Sequence, residues 1–255
     1  MNKLTIVKVG GKVVENESSI KILLTNFAKI DGFKILIHGG GVLATKIAEQ
    51  LGVESHLVEG RRITDIDTLR IVTMVYAGLI NKNIVAILQS LNINAAGLTG
   101  ADLNIIRSIK RPVKTIDYGF AGDVEEINTE ALKLLLNNGF IPVISPITHD
   151  KQGNLLNTNA DTIANETAKA LAKHYDVTLI YCFEKNGVLL DENDENSVIP
   201  EINSSLFKEY KEKGTIRGGM IPKLENALQA VKTGVKQVII TKYSEIPNKK
   251  GTIVK

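Results

Sequence analysis

Short β-branched runs, each followed by a glycine turn and then by apolar residues at helical spacing, open this chain twice. Leu4 to Val9 is the first run and ends in Gly10-Gly11, after which Ile20, Leu23, Leu24, Phe27 and Ile30 recur three or four residues apart behind Ser18 and Ser19 as caps. The pattern predicts strand, glycine turn, helix. Lys34 to Ile37 repeats it, running into His38-Gly39-Gly40-Gly41 and a helix lined by Val42, Leu43, Ile47 and Leu51. A long amphipathic helix is expected from Asp65 to Leu91, with Ile66, Leu69, Tyr76, Leu79, Ile80, Ile87 and Leu88 on its apolar positions and Thr64-Asp65 at its start. Between Gly97 and Asn128, glycines 97, 100, 119 and 122 surround two β-prone pieces, Ile105 to Ile109 and Val113 to Ile116, which predicts hairpins and a mobile loop. Thr129 to Asn138 reads as a helix stopped at Gly139, and Ile141 to Ile144 as a strand.

From Asn157 the alternation becomes regular: a helix from Ala160 to Tyr175, a strand from Val177 to Tyr181, helices near Leu206 and from Ile221 to Thr233, and a strand from Gln237 to Thr241. Strands alternating with helices imply an α/β fold with a mostly parallel sheet covered on both faces. A length of 255 residues permits one large α/β domain or two tightly joined small ones, so any division near residue 150 separates two lobes sharing one sheet. The apolar share of 44% and charged share of 23% are those of a globular chain. A net charge of +3 spread along the chain makes no electrostatic case for nucleic acid. One cysteine, Cys182, and four scattered histidines exclude an intramolecular disulfide and a Cys-based zinc site, which fits a reducing compartment. No uninterrupted apolar run reaches the ~18–20 residues that span a bilayer, and Met1-Asn2-Lys3-Leu4-Thr5 lacks a signal-peptide core. The expectation is a cytoplasmic protein without a membrane partner. The acidic run from Asp191 to Asn196 reads as a solvated loop.

Lys8-Val9-Gly10-Gly11-Lys12 sets unobstructed amides at the carboxyl end of a strand, where open α/β sheets bind ligands, although an ordinary βα turn with surface lysines looks the same. His38-Gly39-Gly40-Gly41 says more. Three consecutive glycines opening a helix cost about 1 kcal/mol each relative to alanine where they are helical, and they offer an anion a nest of amides and the helix's positive end. Neither GxxxxGK[ST] nor GxGxxG is present after these strands. His38 is either a base or, more in keeping with a lone histidine, an imidazole packed beside the turn. Asn157-Thr158-Asn159-Ala160-Asp161 opens a helix with more polar groups than one cap requires. Gly218-Gly219-Met220-Ile221-Pro222-Lys223 opens another, with Pro222 suited to the first turn and Lys223 where the macrodipole disfavours a cation unless an anion is held there. Two glycine nests, two lysines, one aspartate and several amides, without a Ser-His-Asp set, a Cys-His pair or a metal cluster, suit phosphoryl transfer, in which the protein positions groups and neutralises charge.

In their order and spacing, these motifs, together with Gly60-Arg61-Arg62-Ile63-Thr64 and Gly251-Thr252, resemble over essentially the whole chain the amino-acid kinase superfamily, and within it the family that phosphorylates N-acetyl-L-glutamate. The resemblance implies a three-layer αβα sandwich with a mostly parallel open sheet. Residues 1–150 would form an N-terminal lobe for acylglutamate binding and dimerisation, and residues 151–255 a C-terminal lobe for ATP. It implies ATP-dependent phosphorylation of the side-chain carboxylate of N-acetyl-L-glutamate in arginine biosynthesis, with Lys8 and Lys223 flanking the phosphoryl group and Asp161 orienting both. Gly40, Gly41, Arg62, Asn157 and Asn159 would bind the acylglutamate. Gly10, Gly11, Glu184, Gly187, Arg217 and Gly218 would border ATP, with Gly11 and Gly40 donating amides to phosphate oxygens and Mg2+ held mainly by the phosphates. Carbamate, aspartate, glutamate and uridylate kinases are the alternatives within the superfamily, and a non-catalytic ligand-binding homologue is the alternative from another class. Two departures stand out. Phe183-Glu184-Lys185-Asn186-Gly187 replaces an aspartate-bearing nucleotide loop, and Arg61 stands where an apolar residue commonly precedes the substrate arginine, which admits N-succinyl-L-glutamate as an alternative substrate. Arginine-sensitive members carry an extra N-terminal helix that joins dimers into hexamers. With the first strand beginning by Leu4, the resemblance implies a homodimer joined through the 65–91 helix and unaffected by arginine.

Overall fold

A computed structural model describes every residue except Glu59, Gly60, Pro247 and Lys249, so the glycine of the Gly60-Arg61-Arg62 motif lies outside the described residues. The strands are β1 (Lys3–Val9), β2 (Phe33–His38), β3 (Leu57–Val58), β4 (Arg61–Arg62), β5 (Ala95–Leu98), β6 (Ile106–Lys110) and β7 (Ala121–Ile127). They continue with β8 (Ile141–Ile144), β9 (Ile147–His149), β10 (Leu155–Thr158), β11 (Asp176–Phe183), β12 (Glu201–Ile202), β13 (Gln237–Lys242) and β14 (Thr252–Val254). The helices are α1 (Gly11–Glu15), α2 (Glu17–Ala28), α3 (Gly41–Gln50), α4 (Ile66–Val72), α5 (Asn81–Ser90), α6 (Thr129–Asn137), α7 (Ala160–Leu171), α8 (Ser204–Glu212) and α9 (Met220–Lys232). A π-helical segment, Thr73–Ile80, joins α4 directly to α5.

Two compact units result, one of Met1–Ile35 with Ala164–Lys255 and one of Leu36–Ile163. The boundaries differ from the division near residue 150 read from the sequence. The physical reason is β1, which pairs in parallel with β11 over its full length, from Lys3 opposite Asp176 to Val9 opposite Cys182, and so draws the N-terminal residues to the C-terminal part. In that first unit β11 pairs in parallel with β13, β14 runs antiparallel to β13, and β12 lies at the edge. Leu4, Ile6, Val177, Leu179, Val238 and Ile240 are fully buried, the signature of strands covered on both faces. Helix α2 buries Ile20, Leu23, Leu24 and Phe27 as its spacing predicts, but its cap is Asn16, whose side chain accepts the Ser19 amide at 2.9 Å. Its far end is held by Lys34, whose Nζ donates to the Ala28 and Ile30 carbonyls at 2.8 Å.

In the second unit β8 lies in parallel between β2 and β5, while β6, β7, β10 and β9 close a small barrel. The hairpin partner of β6 is β7, not Val113–Ile116, which carries no strand. Pro112 removes a ladder donor beside that stretch and Val113 is exposed, whereas Ala121 and Gly122 are small enough to sit against β10. Helix α3 also departs from expectation: it buries Ala44 and Ala48 while Val42 and Leu51 are exposed. Helix α7 stops at Leu171, short of Tyr175.

The helical run Ile66–Ser90 is, among the described residues, the one stretch long and apolar enough by length and composition to cross a membrane, although polar residues such as Asp67, Arg70 and Asn81-Lys82-Asn83 interrupt it. Its buried face belongs to the core of the second unit. There Leu69, Val72, Val75, Ile80, Ile84 and Leu88 are buried, and Asn81 donates to the Val143 carbonyl of β8 at 3.0 Å.

Candidate active site

In the first unit, β1, β11 and β13 run in parallel and present their carboxyl ends together, the edge at which open α/β sheets bind ligands. Lys8 lies on β1 opposite Tyr181 and is only 8% exposed. The chain then turns at Gly10, whose N–H donates to the Cys182 carbonyl at 3.2 Å. That amide is committed to the backbone, so those of Gly11, Lys12 and Val13, ahead of the first intrahelical bond from the Val14 N–H to the Gly10 carbonyl, are the ones with no intrahelical acceptor. Burial pushes the neighbouring Cys182 thiol far up, against the opposing field of the Lys8 ammonium, and leaves it inert. Lys223 sits in the first turn of α9 with its Nζ 5.4 Å from the centre of the Phe183 ring, a cation–π contact that ties that turn to the end of β11. Glu184, the next residue, is exposed. Arg217 pairs with Glu192, Nη2 to Oε2 at 2.9 Å, so the acidic loop partners cations as well as facing solvent. Gly187 has a packing reason for being glycine: a Cβ there would stand 2.8 Å from Val198 and 2.9 Å from Thr252 Oγ1. Thr252, from the terminal Gly251-Thr252 motif, accepts the Val188 amide and donates to the Ile199 carbonyl, clamping that loop.

In the second unit, β2 ends at His38, which is fully buried. Its Nδ1 donates to the Gly39 carbonyl at 2.9 Å and its Nε2 accepts from Asn81 at 3.1 Å, while burial pushes its pKa down to about 4. It is the packed imidazole of the two sequence readings, not a base. Arg62 is 8% exposed, and its guanidinium donates to Ser55 Oγ at 2.6 Å, to the Gly41 carbonyl at 2.9 Å and to Thr45 Oγ1 at 2.8 Å. Thr64 Oγ1 donates to the Arg62 carbonyl and accepts from Asn157 Nδ2 at 3.0 Å. One hydrogen-bonded chain therefore gathers Gly41, Arg62 and Asn157. Asn159 does a different job, capping α7 by accepting the Asp161 and Thr162 amides at 2.8 and 3.1 Å, with Asp161 in that helix's first turn. The glycine-rich stretch before β7 is stitched to the same chain: Phe120 N–H donates to the Thr64 carbonyl, and Asn157 N–H to the Phe120 carbonyl. Arg111, one of the basic residues flanking it, is neutralised by Asp123 and lies over the Tyr118 ring.

The amino acid kinase family model matches residues 3–242. The chain belongs to the amino acid kinase family. It is 65% identical to the acetylglutamate kinase of Parabacteroides distasonis over all of both chains, and 61% identical to that of Phocaeicola vulgatus over 99% of this chain and 98% of the relative. Among solved structures, smu.665 from Streptococcus mutans UA159 matches with a TM-score of 0.82 at 27% identity, over 99% of this chain and 98% of that one. Mostly parallel strands with flanking helices are the architecture this family membership carries, as the alternation predicted.

For this amino acid kinase the candidate residues divide cleanly between the units. Lys8, Gly10, Gly11, Glu184, Gly187, Arg217, Gly218 and Lys223 belong to the first, and Gly40, Gly41, Arg62, Asn157, Asn159 and Asp161 to the second. Two ammonium groups and helix-terminal amides suit phosphates. A guanidinium pinned on three sides is preorganised for a carboxylate. Among the described residues no group of three His, Cys, Asp or Glu side chains could hold a metal ion. Ser55, Thr45 and Asn81 escaped the sequence reading as partners of the site, because none of them lies in a motif.

Proposed function

We propose that the chain transfers the γ-phosphoryl group of ATP to the side-chain carboxylate of N-acetyl-L-glutamate, giving the acyl phosphate and ADP, a step of arginine biosynthesis. The observation that carries this is the 65% identity, over the whole of both chains, to an acetylglutamate kinase. The nucleophile is a carboxylate already ionised at neutral pH, so no base is needed, in keeping with a His38 held neutral by burial. Lys8 and Lys223 neutralise charge developing on the phosphoryl group, and Asp161 completes the catalytic set. Arg62 takes the α-carboxylate, with Gly40, Gly41 and Asn157 as further ligands of the acylglutamate. Gly11, Glu184, Arg217 and Gly218 border the nucleotide, which enters with Mg2+ as a substrate. The neutralisation of Arg111 by Asp123 removes one of the spare cations that a succinyl carboxylate would use, and so favours the acetyl compound. A cytoplasmic homodimer completes the reading.

The test is ADP release together with hydroxylamine trapping of the acyl phosphate, run on N-acetyl-L-glutamate, N-succinyl-L-glutamate, L-glutamate, L-aspartate, carbamate and UMP. Hydroxamate formed only with acylglutamates is expected. A preference for the succinyl compound would move the acyl assignment, and no substrate-dependent ADP at all would return the chain to the class of non-catalytic binders.

A further inference from the structure

The π-helical segment Thr73–Ile80 packs against the glycine turn that follows β2. Its winding shows in one bond: the Asn81 amide donates to the Tyr76 carbonyl, five residues back. Residue i+5 rather than i+4 therefore returns over residue i, and Tyr76, Ile80 and Asn81 all address the glycine turn that follows β2. All three are buried. A Cβ on Gly40 would stand 3.1 and 3.2 Å from Cδ1 and Cε1 of the Tyr76 ring and would overlap Ile80 Cδ1. A Cβ on Gly41 would lie 3.9 Å from the Tyr76 hydroxyl and 3.8 Å from Arg62 Nη2, so hydroxyl and guanidinium both border Gly41. Burial raises the tyrosine pKa against the opposing field of Arg62, which keeps the hydroxyl neutral and able to accept from an arginine N–H. Asn81 secures the other side of the turn through His38 and the Val143 carbonyl.

We propose that Tyr76 is a positioning residue of the acylglutamate site, its hydroxyl fixing the Arg62 guanidinium and its ring fixing Gly40, so that both are in place before substrate arrives. The inference rests on the acylglutamate reading of Arg62 and Gly40. A π-helical turn suits the task, since an α-helical phase would carry Asn81 away from the face that Tyr76 and Ile80 share.

Tyr76→Phe keeps the ring against Gly40 and removes one oxygen. The expected result is a KM for N-acetyl-L-glutamate raised about tenfold, the scale of one hydrogen bond to a charged group, with kcat, the KM for ATP and the melting temperature nearly unchanged. A second arm probes the packing around Gly40: Gly40→Ala should abolish most activity by meeting Tyr76 and Ile80, and Gly40→Ala with Ile80→Ala should recover part of it. An unchanged acylglutamate KM in Tyr76→Phe, or equal shifts in both KM values with a lowered melting temperature, would reduce Tyr76 to ordinary packing and overturn the inference. If the wild type fails on acylglutamates altogether, the functional reading falls and takes this inference with it, whereas an active wild type with an indifferent Tyr76→Phe removes the inference alone.

Discussion

Lowering the pH from about 7.5 to about 4.5 should destabilise the Leu36–Ile163 unit through one side chain, His38. The imidazole has its ordinary pKa of 6.5 in the unfolded chain and about 4 in the folded one, chiefly because burial penalises the cation. Between those values the unfolded state takes up a proton that the folded state refuses. Stability contributed by the neutral form is thus complete above pH 6.5 and is lost as pH falls toward 4. A difference of about 2.5 pKa units at about 1.36 kcal/mol each puts the total near 3 kcal/mol, a large share of the 5–15 kcal/mol typical of a domain. Asp65, whose carboxyl is held below its usual range mainly by the Thr68 amide, gives up its contribution only below its ordinary 3.8, outside this window. His38→Asn retains a donor for the Gly39 carbonyl but cannot titrate. It should be less stable than wild type at pH 7.5, having lost the Asn81 bond, yet nearly flat between pH 6.5 and 4.5. Urea unfolding followed by far-ultraviolet circular dichroism at half-unit pH steps measures both slopes. Parallel loss of stability in the two proteins would show that His38 is not the acid-sensitive group.

Replacing Lys8 or Lys223 with alanine should lower kcat about 10²-fold, the scale of one lost electrostatic stabiliser of a transition state, and steady-state ADP release with either variant near wild type would remove that lysine from the catalytic set. Ile66, Met74 and Leu79 leave 47%, 57% and 46% of their surface exposed along one helical run, which supports the proposed homodimer. Light scattering should report about twice the 27.8 kDa chain mass, and a monomer at micromolar concentration would contradict it.

What could be read from the sequence followed the strength of the local signal. Strands β1, β8, β11 and β13 are rich in Val, Ile and Leu with few interrupting polar residues, and their identity survives any context. Strands β5, β9 and β10 read Ala-Ala-Gly-Leu, Ile-Thr-His and Leu-Leu-Asn-Thr, too short and too polar to announce themselves. They are strands because neighbours complete them: Thr148 on β9 hydrogen-bonds Thr158 on β10 at 2.8 Å inside the barrel. Helix α3 buries its two alanines, Ala44 and Ala48, and leaves the larger Val42 and Leu51 exposed, a choice that a hydrophobic pattern weighted toward large side chains does not reveal. In the site, the run of three glycines marked the turn after β2, whereas Arg62 rested on family resemblance and Tyr76 looked like one more apolar residue of an α-helical stripe. A π-helical turn leaves no trace in a pattern read at 3.6 residues per turn.

The glycines show why a motif and its function have to be argued separately. At Gly187 the missing side chain is required by Val198 and Thr252, and at Gly119 by a φ of +63° with the Thr64 carbonyl against it, so in both the fold alone suffices as a reason. Gly40 has a packing reason too, but its packing partners are Ile80 and Tyr76, and the Tyr76 hydroxyl borders Gly41 together with Arg62. At Gly219 neither reason holds. Its φ of −65° is open to any residue, nothing lies within 4 Å of where its Cβ would be, and no side chain caps the helix it begins. Position 219 stands directly before α9, at the positive end of a helix whose first turn carries Lys223. A glycine that the fold does not require, placed where an anion would be stabilised and where a side chain would obstruct it, supports a nucleotide phosphate at the start of α9 better than the glycine count of the motif does.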